Sequence, residues 1–145
     1  MPEMIGRRTT KKEAAFRQIN GAIKLLYEEE YECAATLAGA AEGMLPEDGA
    51  EYLFKRLSET EPPPEFEGKK DWVGWLNATR DWLKHETPQL GKKWHLTEFA
   101  VVIMVLRAIS KFQWTYYQST KRWENFYGWC RERGYPAPPP KANNS

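Results

Sequence analysis

Apolar side chains recur at helical spacing along most of this chain. Phe16, Ile19, Ile23, Leu26 and Tyr27 fall on one face of a first helix. Thr10 and Glu13 open it with the spacing of a capping box, and Glu28-Glu29-Glu30 closes it. Tyr31 restarts an apolar pattern almost at once, so the turn is short. From Cys33 to Leu45 that pattern is built of small residues, among them Ala34, Ala35, Ala38, Gly39 and Ala41. Small side chains let two backbones approach closely, which predicts a tight antiparallel hairpin. Glu42 lies inside this stripe and needs a polar partner, for which the first helix offers Arg17 or Asn20.

Pro46-Glu47-Asp48-Gly49 breaks the chain before a short helix over 50–58, and Pro62-Pro63-Pro64 makes a stiff connector. The next helix spans about Lys70 to His85, with Trp72, Trp75, Leu76, Thr79 and Leu83 on one face. A loop with Pro88 and Gly91 leads to Thr97, the expected cap of a helix that is apolar nearly all round from Phe99 to Leu106 and aromatic from Phe112 to Tyr117. A last helix carries Trp123, Phe126, Tyr127 and Trp129 before Gly134. No run reads as a strand. The fold expected is all-α, a five- or six-helix bundle over 10–134, with a flexible 1–9 and a disordered Pro-rich tail over 135–145.

The 145 residues suit one domain, and an aromatic share of 14% offsets a modest hydrophobic share of 41%. A net charge of +1 gives no global footprint for nucleic acid, so DNA is not expected and any RNA role must be local. Cys33 and Cys130 have no metal-like spacing, and a reducing cytoplasm follows as the expected compartment. Cys33 reads as a buried structural thiol. The N-terminus lacks an apolar signal core, and the run Phe99 to Leu106 is too short to cross a bilayer, so no membrane partner is expected. Scattered glycines make no phosphate loop, and His85, His95 and the cysteines fit no zinc pattern. No metal or cofactor is expected.

The chemistry-bearing stretch is Arg80-Asp81-Trp82-Leu83-Lys84-His85. At about 100° per residue, Asn77, Asp81 and His85 stack along one row, with Arg80 and Lys84 beside them, roughly opposite the Trp72 and Leu76 stripe. Such a set suits metal-free RNA cleavage. A histidine exchanges protons with the ribose hydroxyl and leaving oxygen, and an arginine fork holds the phosphate. Asp81 would orient the imidazole, with Asn77 and Lys84 in support. On an ideal helix Arg80 and His85 diverge by about 140°, so one phosphate would need a distorted helix or a second copy. The same row also reads as a solvated helix face of ordinary neighbours one turn apart.

The order of these segments resembles the HEPN family: a helical hairpin with an alanine-rich second helix, then a polar Arg-to-His helix, then a long apolar helix. Arg80-Asp81-x-x-x-His85 matches that family's Arg-to-His motif with a four-residue gap. The resemblance covers about residues 10–118. It implies a homodimer whose two motif helices meet in an RNA cleft, with Arg80, Asp81 and His85 as the catalytic set. Many such proteins have lost catalysis and serve as interaction modules. Two functions are therefore carried forward: a non-catalytic dimerisation or partner-binding module, for RNA or protein, and a metal-independent endoribonuclease. The aromatic C-terminal part, including Trp114, Tyr116 and Tyr117, supplies either helix packing or a stacking surface.

Overall fold

A computed structural model describes residues 3–46 and 66–140. The expected short helix over 50–58 and the Pro-rich connector lie outside the described residues, as do 141–145. Among the described residues the chain is all-helical: α1 (Lys11–Tyr27), α2 (Tyr31–Gly43), α3 (Lys69–Lys84), α4 (Glu98–Tyr116) and α5 (Lys121–Glu132), with a short 3₁₀ turn at Pro88–Leu90. No described helix is long and apolar enough to cross a membrane.

Three helices start on threonine caps. Thr10, Thr97 and Thr120 each accept from the backbone N–H three residues on, at 3.1, 3.1 and 3.2 Å. The α1–α2 turn is tight because Glu29 takes a left-handed conformation, φ 62°, and the Glu30 N–H returns to the Leu25 carbonyl at 2.9 Å. That closure satisfies the helix end in the way glycine usually does, but with a glutamate in the strained place.

α4 is the central element, buried without interruption from Ala100 to Ile109. The hairpin packs on it as the alanine stripe predicts: Ala34, Ala35, Ala38 and Ala41 are all fully buried. A Cβ on Gly21 would meet Leu37 Cδ1 at 3.2 Å, which shows how closely the hairpin helices approach. α5 runs beside α1. Trp123 is fully buried against Phe16 and Phe112, and its indole N–H donates to Asn20 Oδ1 at 2.9 Å. Burying a side chain of this size stabilises the fold by roughly 2–3 kcal/mol.

Glu42 corrects one expectation. Its partner comes from α4, not from Arg17 or Asn20. Arg107 Nη2 donates to Glu42 Oε1 at 2.7 Å, and Lys111 Nζ donates to the Glu42 backbone carbonyl at 3.0 Å. All three residues are buried. Arg107 Nη1 reaches Asn77 Oδ1 on α3 at 3.5 Å, so one cluster ties three helices. Arg17 points to solvent, and Asn20 is taken by Trp123.

Removing one side of a buried ion pair strands the other charge. Glu42→Ala is expected to cost about 3–5 kcal/mol in denaturant unfolding, and Glu42→Met with Arg107→Met to recover part of that loss.

Candidate functional site

α3 carries the Arg-to-His row, and its placement follows from the face it buries. Trp72, Leu76 and Thr79 are buried, Trp75 and Leu83 half-buried. Asn77 turns inward to Arg107 instead of joining the outer row. Arg80 lays its stem over α2, where a Cβ on Gly39 would lie 3.7 Å from Arg80 Cγ and 3.8 Å from Lys84 Cε. Arg80 Nε stands 3.9 Å from Asp81 Oδ1, with the two side chains 33% and 52% exposed. An ion pair this exposed contributes well under about 1 kcal/mol.

His85 has left the helix. Its backbone is extended, φ −134° and ψ 159°, and its N–H closes the last turn on the Asp81 carbonyl at 2.9 Å. Its imidazole is exposed and makes no hydrogen bond or ion pair with a described residue. The structure thus brings Arg80 and Asp81 together and leaves His85 apart from both side chains.

The loop after α3 is pinned by tryptophans. Trp94 Nε1 donates to the buried Thr79 Oγ1 at 2.9 Å, and Trp82 Nε1 donates to the Gly91 carbonyl at 3.0 Å. Trp82, Trp94, Trp75, Trp72, Phe99 and Tyr135 stack in sequence, with centroids 5.2–6.2 Å apart. Each such contact adds about 0.5–1.5 kcal/mol beyond burial. Residues 135–140 carry no regular element, yet Tyr135 ends this row and Arg131 donates to the Pro138 carbonyl.

Cys33 corrects another expectation. It is exposed, because Ala34 and Ala35 take the inward positions of that turn. Cys130 is the buried thiol, and desolvation pushes its pKa up to about 12, which makes it inert. No group of three or more metal-ligating side chains forms among the described residues.

Two other places gather chemistry, at opposite ends of the bundle. Where α1 begins and α4 ends, a cavity of about 370 Å³ has Phe16 and Phe112 as walls and Lys12, Glu13, Arg17 and Gln118 at its rim. Lys12 Nζ lies 5.2 Å from the Tyr116 ring centroid. Arg7, Arg8, Lys121 and Arg122 are exposed nearby in sequence, on the approach to α1 and the first turn of α5. Trp114 is 51% and Tyr117 89% exposed, and Tyr117 sits left-handed at φ 51°. At the other end, the α1–α2 turn brings Glu29 to the same cavity as Glu98, which opens α4. Cations outnumber the one carboxylate, Glu13, around the first cavity, and two carboxylates face the one cation, Arg133, around the second. The run of Trp114 to Tyr117 signalled the first; nothing local signals that Glu98 meets Tyr31 and Tyr135.

Glu98 accepts from Tyr31 Oη at 3.3 Å and from Tyr135 Oη at 2.7 Å, and Arg133 Nη1 stands 3.6 Å away. Desolvation first, then the hydrogen bond to Glu98, raises Tyr135 to about 12. The same causes, with burial again the larger, raise Tyr31.

No family model, curated protein or solved structure matches this chain.

Tyr135 gives this end a pH dependence. A raised folded pKa means its contribution is whole below pH 10.0 and is lost as pH climbs toward about 12. Tyr135→Phe should start about 1 kcal/mol less stable and lose less between those limits, as read from melting curves across that range.

Proposed function

We propose that this protein is a HEPN-like helical module that binds a polyanionic partner, single-stranded RNA, at its basic end without cleaving it. The observation that carries this reading is the combination of exposed rings and cations around the start of α1 and the end of α4. Tyr117 ends α4 as a left-handed cap whose N–H closes the last turn on the Gln113 carbonyl at 2.8 Å, and its ring is left exposed, open to stacking by a ligand. The cations Lys12 and Arg17 favour an anion, and flat rings with charge favour stacked bases over an acidic protein surface.

Metal-free cleavage would require a guanidinium and an imidazole at one phosphate. Within this chain, Arg80 leans on Gly39 and Asp81 while His85 stands free beyond the helix end. The ribonuclease reading has one observation in its favour: Arg80 and His85 both reach solvent at the same end of α3. In a homodimer, one copy would supply the guanidinium and its partner the imidazole.

Fluorescence anisotropy with a labelled single-stranded oligoribonucleotide tests both readings. With three or four phosphate contacts, affinity should fall about 20–50-fold between 50 and 200 mM salt. Tyr117→Ala and Lys12→Ala should each weaken binding severalfold, while His85→Ala leaves it unchanged and the RNA intact. Unaltered binding in Tyr117→Ala and Lys12→Ala would refute the location. RNA shortened by the wild type but not by His85→Ala, in a sample that light scattering shows to be dimeric, would establish the enzyme. Capture of an acidic peptide but not RNA would replace the partner class.

A further inference from the structure

The acidic end holds a second cavity, of about 210 Å³, between the α1–α2 turn, the start of α4 and the end of α5. Its floor is the buried Leu26, and its walls are Tyr27 and Trp129, whose rings meet edge-to-face at 5.2 Å and 61°. Two carboxylates stand at it. Glu98 is fixed by two tyrosine hydroxyls, and Glu29 is carried on the left-handed residue of the turn.

This combination selects cations. Aromatic faces attract positive charge through their quadrupoles, and Trp is the best of them. The cavity already shows the preference: the Arg133 guanidinium lies 4.4 Å from the Trp129 ring centroid, with Nη1 3.6 Å from Glu98 Oε1. That side chain is 49% exposed and follows the last turn of α5, so it can swing away at little cost. A metal ion is a poor fit, because the walls are carbon and one fixed carboxylate does not complete an oxygen shell. Glu29 also lines the cavity and is exposed, so a second carboxylate-bearing residue stands at the site.

We propose that this cavity is a binding site for an alkylated ammonium group, and that Arg133 is its exchangeable resident. The ligand's methyl groups would lie on Trp129 and Tyr27, with its charge facing Glu98. The same head group occurs free in quaternary amines and on trimethylated lysine side chains. This site is separate from the RNA-binding end and stands or falls without it.

The test is calorimetric titration of the full chain with choline chloride and with a short trimethyl-lysine peptide, against potassium chloride and the unmethylated peptide. Trp fluorescence gives a second readout. Saturable binding of choline and the methylated peptide alike is expected for a head-group site; binding of the peptide alone assigns the source to a protein. Arg133→Ala, a change at a surface position, should tighten binding severalfold by removing the resident. Glu29→Gln should weaken it severalfold, and Trp129→Phe, which keeps a ring in the packing, should weaken it about tenfold. Absence of saturation by either probe in both the wild type and Arg133→Ala would overturn the proposal. So would binding that Trp129→Phe leaves unchanged while circular dichroism shows the fold intact.

Discussion

A carboxylate buried among alanines constrains everything around it. Glu42 cannot remain charged in that stripe without a cation, and the α4 side chain that reaches it is Arg107. Apolar stripes alone tolerate several rotations of one helix on another. The two-point link, with Arg107 donating to the side chain and Lys111 to the backbone carbonyl, favours one rotation and one height. Asn77 extends the link to α3, which then presents Arg80 to Gly39 and aims its exposed row outward. An ion pair of this kind adds little net stability over a hydrophobic substitute, and its fixed geometry bears on register more than on stability.

From that register the aromatic residues take over. The stacked row from Trp82 to Tyr135 crosses α3, the following loop, the start of α4 and the chain after α5. Around α5 the rings of Trp123, Phe126 and Trp129 join α1, and among the described residues the exposed rings are Tyr27, Trp114 and Tyr117. Charge is biased along the same axis: Lys12 and Arg17 outnumber Glu13 at one cavity, and Glu29 and Glu98 outnumber Arg133 at the other. A chain with one net charge thereby acquires two surfaces of opposite character.

Helix positions were legible because each carries a local signal: the threonine caps, the alanine stripe, the near-continuous apolar run of α4. The burial of Trp72, Leu76 and Thr79 followed from periodicity in the same way. Partner choice was not legible. Arg107 and Lys111 stand one turn apart after an apolar run, which signals buried cations, but their distance from Glu42 in sequence hides the pairing. The inward turn of Asn77 and the departure of His85 from the helix depend on α4 and on where α3 ends, not on the row itself. Cys33 lies exposed where burial was expected for a related reason, since one residue of helical phase decides it. Least legible was the cluster on Glu98, assembled from the α2 start, α4 and the segment after α5.

On the proposed function, RNA meets the cation-rich end of the bundle and not the Arg80–His85 row. Backbone amide shifts, followed by two-dimensional NMR during titration with a single-stranded oligoribonucleotide, address it directly. Perturbations grouped on Lys11 to Arg17 and Phe112 to Arg122 are the predicted result. Perturbations grouped on Arg80 to His85, with those segments unmoved, would contradict it and return the motif helix to the centre of the function.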